Sequence, residues 1–125
     1  MLRFSILLRR RADLSRVEFL RYWREQHAPL VKALSSDLGI RRYVQIHTLS
    51  PDELAVAGLP PEAENTYDGL AEVWFDGAAE ALARTPQAKA ARRQLRVDEE
   101  KFIDVATSIS WWATSFVVVD ERSGD

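Results

Sequence analysis

Ser15-Arg16-Val17-Glu18-Phe19-Leu20-Arg21-Tyr22-Trp23-Arg24-Glu25-Gln26-His27-Ala28-Pro29-Leu30-Val31 is the stretch whose reading decides the fold. Ser15 and Glu18, three positions apart, form a capping box, in which each side chain bonds the other residue's backbone amide and so opens a helix. At about 100° per residue, Phe19, Leu20, Trp23, Leu30, Val31 and Leu34 fall in one stripe roughly 120° wide. Arg21, Glu25 and Lys32 lie on the far side. This is a helix that packs on a sheet by one face, and His27 sits inside the packed stripe. Pro29 brings no amide to the helix and disfavours the helical region for Ala28. A kink or restart is therefore expected just after His27.

Working outward, Leu2, Phe4, Ile6 and Leu8 alternate with Arg3 and Ser5, the period-two pattern of a strand with one buried face. Asp37-Leu38-Gly39 stops the helix, and residues 41–49 read as a second strand rich in branched and aromatic residues. The segment 50–66 holds three prolines, a glycine and four acids. Its composition predicts a long loop with a helical turn near 51–55, mobile and bordering the mouth of a cavity. Residues 67–75 are the third strand, with Ala71, Val73 and Phe75 on one face and Leu70, Glu72 and Trp74 on the other. A second helical region opens at Ala78, is punctuated at Thr85-Pro86, and runs to about Ile103 with Ala88, Ala91, Leu95 and Phe102 inward. Residues 108–119 form the last strand. The order βαββαβ makes an α+β domain: a four-stranded antiparallel sheet with two helices on one face.

Composition narrows the function. At 125 residues, 46% apolar and 29% charged, the chain is an ordinary single globular domain. It has no cysteine, which removes thiol nucleophiles, Cys-ligated zinc and iron–sulfur clusters and fits a reducing, cytoplasmic setting. Its 17 basic and 19 acidic residues leave a net charge of −2, so no field attracts nucleic acid or anionic lipid. The Arg9-Arg10-Arg11 run reads as a solvated strand-to-helix loop, with a phosphate or carboxylate contact as the alternative. No signal peptide or membrane span is expected.

A sheet with both helices on one face would show water a polar second face in a monomer. Here the third and last strands are apolar in both registers: Trp74 beside Val73 and Phe75, Trp112 and Phe116 beside Trp111 and Val117. The uncovered face is expected to meet the same face of a second copy, giving a homodimer.

Three stretches resemble EthD-domain proteins: Phe19-x-x-Tyr22-Trp23-x-x-x-His27-Ala28-Pro29-Leu30-Val31, Tyr67-Asp68-Gly69-Leu70-Ala71-Glu72-Val73-Trp74-Phe75, and Asp98-x-x-x-Phe102-Ile103-Asp104. The resemblance implies ferredoxin-like subunits paired into a dimeric α/β barrel, with a cavity between sheet and helices. It also implies kinship with lactone isomerases, polyketide cyclases or dehydratases, and a protein of an ether-degradation gene cluster. Trp23, His27 and Pro29 match the motif. The acidic segment 50–66 is not part of it, so pocket shape and substrate are not carried across.

Read from the residues, an imidazole among Phe19, Trp23 and Leu30 is a candidate general acid or base near neutral pH. The competing reading is a core histidine satisfied by a backbone carbonyl. Tyr43 is placed to hydrogen-bond a substrate carbonyl or to pack at the rim. Glu72 is either the partner that orients His27 or an arginine-paired carboxylate. Trp23, Phe4, Trp74 and His47 are the candidate contacts to a small apolar or aromatic ligand. Asp98 and Asp104 read as helix-end contacts. No phosphate loop, dinucleotide fingerprint, zinc motif or serine elbow is present in the sequence, so no cofactor is implied. The leading expectation is a cofactor-free enzyme moving protons on an aromatic, polyketide-like or lactone-like molecule. A non-catalytic binding or accessory protein is the alternative, and a haem-binding oxygenase a third reading, since related barrels bind haem.

Overall fold

The computed structural model describes residues 1–63 and 66–122. Strands β1 (Leu2–Leu8), β2 (Arg42–His47), β3 (Gly69–Phe75) and β4 (Ile109–Ala113) form one antiparallel sheet in the order β2-β3-β1-β4. This is the ferredoxin-like arrangement. Phe4 stands opposite Val73 and Trp112, and Ser5 opposite Glu72 and Trp111. The pleat thus sends Phe4, Val73 and Trp112 to the helical side, and Ser5, Glu72 and Trp111 to the other. Between the strands run α1 (Arg16–Tyr22), a π-helical turn (Trp23–His27), α2 (Ala28–Leu38), α3 (Pro51–Val56), α4 (Ala78–Ala81) and α5 (Pro86–Glu99). The core joins Leu8 and Ala71 of the sheet to Phe19, Trp23, Phe102 and Ile103.

The caps fall where the sequence puts them. Ser15 accepts from the Glu18 amide while the Glu18 carboxylate accepts from the Ser15 amide. Thr85 caps α5 in front of Pro86. Ser50 and Glu53 build a second capping box over α3, the helical turn expected near 51–55. The last strand ends at Ala113, well short of the expected 108–119, and leaves the apolar run 116–119 outside the sheet. Ala113 pairs with Arg3, close to the start of β1, so the chain beyond has almost no neighbouring strand to bond. Phe116, Val117, Val118 and Val119 consequently stand 75–90% exposed.

The Arg9–Arg11 run is not simply solvated. Arg10 donates to Asp68 through its amide (2.9 Å) and Nη1 (2.6 Å), Arg9 lies over the Tyr67 ring, and Arg11 reaches Asp13 and the Glu100 carbonyl. Asp68 also accepts from Arg16 Nε at 2.9 Å, and Arg16 bonds Glu62 at 2.9 Å, which ties the 50–66 segment to α1. Burial pushes the Asp68 carboxyl up, but these hydrogen bonds together outweigh it and hold it below the ordinary range. A carboxyl depressed on folding adds stability above its unfolded value, and that stability is lost as pH falls through the folded one. Unfolding is therefore expected to set in below about pH 4. In Asp68→Asn, stability should be lower at neutral pH and change less on acidification. Chemical denaturation at pH 7 and pH 3 checks this, and an unchanged pH dependence would remove Asp68 from the account.

Candidate active site

The histidine is presented by an irregularity in its own helix. Pro29 has no amide for the carbonyl of Glu25, and just before it the hydrogen-bond ladder widens: the Ala28 amide bonds the Trp23 carbonyl, five residues back. Gln45 Nε2 also donates to that carbonyl, at 2.9 Å. The expected break is thus absorbed as one π-helical turn, and helix continues to Leu38. π turns of this kind recur at functional sites. Here it carries His27 inward, with its side chain 5% exposed.

His27 faces α5, where Asp98 Oδ2 lies 2.8 Å from Nδ1. The other carboxylate oxygen accepts from the Tyr22 hydroxyl at 2.6 Å, and Lys101 Nζ stands 3.7 Å away. Burial pushes the Asp98 carboxyl up, but the hydrogen bonds of Tyr22 and His27 outweigh it and leave it below the ordinary range. Being ionised, Asp98 can only accept, so Nδ1 carries the proton and Nε2 is left with its lone pair. Burial pulls the imidazole below its usual value, and Asp98 only partly restores it. At neutral pH His27 is an uncharged base with a fixed tautomer. Burial, and then the Asp98 hydrogen bond, push the Tyr22 phenol up to about 12.

His27 lines a cavity of about 390 Å³ between the helices and the sheet. Its walls are mostly apolar, from Phe4, Val73 and Phe75 below to Val31 and Leu95 above. Leu82 and Trp112, 62% and 46% exposed, mark where it opens. Tyr43, Glu99, Arg92 and Arg96 supply the remaining polar groups. The Tyr43 hydroxyl accepts from Trp23 Nε1 (3.2 Å) and Gln45 Nε2 (3.1 Å), so its own proton is free to donate. Burial raises the Tyr43 phenol and keeps it neutral. The chemistry on offer is a base and a hydroxyl donor in an apolar chamber.

Comparison with known families and solved structures places the chain. The EthD domain matches residues 11–106. The chain belongs to the EthD family. Solved structures show the same fold at low identity. An EthD family protein from Bacillus halodurans C-125 is 18% identical with a TM-score of 0.58, over 93% of this chain and 100% of that one. An EthD-like protein from Ralstonia eutropha JMP134 is 19% identical with a TM-score of 0.55, over 98% and 96%. A dimeric protein of unknown function with a ferredoxin-like fold from Bacteroides fragilis NCTC 9343 is 15% identical with a TM-score of 0.56, over 90% and 93%. Comparison with curated protein sequences gives no match.

In this EthD chain His27, Tyr43, Trp23 and Phe4 come together at the cavity. Glu72 and Trp74 do not, because the pleat of β3 turns them to the face away from the helices. Glu72 meets Arg3 there at 3.5 Å, and Trp74 lies under Arg42. Glu72 therefore does not orient His27; the partner comes from helix α5, not from a strand. His47 does not line the cavity either. It stacks on Trp23 with ring centroids 4.8 Å apart and bonds Gln45 at 2.8 Å, bracing the wall from behind. Trp23 is only 1% exposed, as much core as contact surface. None of the described residues of the 50–66 segment lines the cavity, against the expectation that it borders the mouth. Asp98, read as a helix-end contact, is the imidazole's partner. Glu99 was not singled out, although its position one residue past Asp98, on an inward helix face, was the available signal.

Proposed function

We propose that this EthD protein binds a small, flat, largely apolar carbonyl compound of the aromatic, polyketide-like or lactone-like kind and moves a proton on it. The observation that carries the reading is the 2.8 Å contact of Asp98 with His27 Nδ1, which leaves Nε2 as the nitrogen available to the cavity. A base lowered below its usual range by burial stays unprotonated at neutral pH. Tyr43 is the donor to a substrate oxygen. The probe for this reading is 2-tetralone, a bicyclic aromatic ketone with acidic α-protons. Incubated with the protein in heavy water and followed by proton NMR, it should exchange those protons faster than in buffer. Binding without exchange would favour a carrier or accessory role.

The working unit we propose is a homodimer in the cytoplasm. Trp111 (40%), Ile46 (44%) and Ile109 (50%) stand exposed on the sheet face without helices, and the apolar 116–119 run that follows β4 is exposed as well. The Bacteroides fragilis protein of the same fold is dimeric. Among the described residues no helix is long and apolar enough to cross a membrane, and a second copy is the occupant that symmetry favours. Light scattering is expected to give twice the 14.3 kDa chain mass. A monomer at micromolar concentration would overturn this.

A further inference from the structure

Asp98 and Glu99 are consecutive, yet α5 sends their carboxyls to different surroundings. Asp98 is taken up by His27 and Tyr22 and does not line the cavity, whereas Glu99 does. Among the described residues the Glu99 side chain has no hydrogen-bond partner, and only the charges of Arg96 and Asp98 bear on it. The Tyr43 phenol, which shares the cavity, feels the charge of Glu99 from β2. An apolar chamber therefore holds a braced base from the first helix and an unengaged carboxyl from the second.

We propose that Glu99 is a second catalytic residue of this site, the acid that gives a proton to a substrate oxygen while His27 Nε2 takes one from carbon. This rests on the proton-transfer reading above. The charges that bear on it are those of Arg96 and Asp98 on its own helix; Arg92 of the same helix, which donates to the Ala83 carbonyl, Tyr43 of β2 and His27 of the π turn share the cavity with it. Burial is the largest influence, opposed by Arg96 and reinforced by Asp98, and holds the carboxyl up to about 7. Two titratable groups displaced in opposite directions by one environment make a base and an acid that coexist near neutrality.

The step balances without a further reactant. Nε2 takes the proton from the carbon next to the carbonyl, and the C–H electron pair becomes the C=C bond. The carbonyl π pair moves to oxygen, which takes the Glu99 proton, giving an enol, an imidazolium and a carboxylate. Return of the imidazolium proton to the same or a conjugated carbon, with the enol proton going back to Glu99, restores both residues. The substrate class is thus an enolisable carbonyl compound, and the product an isomer or the nucleophile of a ring closure.

The test uses exchange into 2-tetralone in heavy water across pH, with circular dichroism to confirm folding. Unmodified protein should show a bell-shaped profile whose alkaline limb lies near pH 7. Glu99→Gln should lose about 10²-fold or more in rate and lose that limb. A Glu99→Gln variant with unchanged rate and profile, beside an inactive His27→Asn, would overturn the role of Glu99 and leave the base reading standing. No exchange by the unmodified protein would overturn the base reading, and the acid with it. Carbon-13 titration of the Glu99 carboxyl in the unmodified protein decides independently of any probe or variant. A midpoint in the ordinary range near about 4.3 would overturn the proposal.

Discussion

His27→Asn is expected to lose exchange of 2-tetralone by about 10²- to 10⁴-fold, the contribution a positioned general base makes, while the domain stays folded. An asparagine amide reaches roughly where Nδ1 sits and can still donate to Asp98, so the buried carboxylate keeps a partner. The lost ring leaves a small gap beside Phe102, whose centroid is 5.0 Å away. That cost should be about 1 to 2 kcal/mol. What vanishes is the second nitrogen, the only part of the imidazole that the cavity can use. Asp98→Asn separates positioning from reaction. Asp98 raises the imidazole against the larger lowering by burial. Without its charge the imidazole falls further, and the acid limb of the rate profile should move to lower pH as the rate drops. A His27→Asn protein that is folded and fully active would end the assignment. One that unfolds and regains exchange with added imidazole would keep it.

The fold was legible because it rests on local signals. The Ser15–Glu18 capping box, the alternation of Leu2 to Leu8 and the Thr85-Pro86 start each act within a few residues, and each stands where it was read. The inward turn of His27 was legible for the same reason, since helical periodicity fixes a face. Its partner was not. Asp98 lies 71 residues away on another helix, and nothing local separates it from an ordinary charged residue near a helix end. Glu72 was the more visible carboxylate because it interrupts an apolar strand. Strand period two, applied with Ala71, Val73 and Phe75 inward, already places it on the far face with Trp74. The 50–66 segment misled for a different reason. Its loop and helical turn are as its composition describes, but Glu62 bonds Arg16 of α1, and none of its described residues reaches the cavity.

The least legible requirement is at Gly69, and Gly69→Ala is expected to cost about 3 kcal/mol, the upper end of what overpacking a filled core does. A β-carbon there would lie 2.5 Å from Trp23 Cζ3, 2.9 Å from Cη2 and 3.1 Å from the Ile46 carbonyl oxygen. Two of those are rigid aromatic atoms and the third is backbone. The indole has little freedom to yield. It stacks on His47, its Nε1 is held by the Tyr43 hydroxyl, and its backbone belongs to the π turn that carries His27. Movement of Trp23 would therefore draw on both groups the cavity needs, so loss of exchange should accompany loss of stability. Leu70→Ala is the control, because it trims a partly buried residue that the pleat of β3 turns to the other face and leaves the indole untouched. Denaturation midpoints, near-ultraviolet circular dichroism of the tryptophans and the 2-tetralone assay would be read together. A Gly69→Ala protein with an unchanged midpoint and spectrum would mean that Trp23 is free to shift, and that the wall behind His27 is softer than its contacts imply.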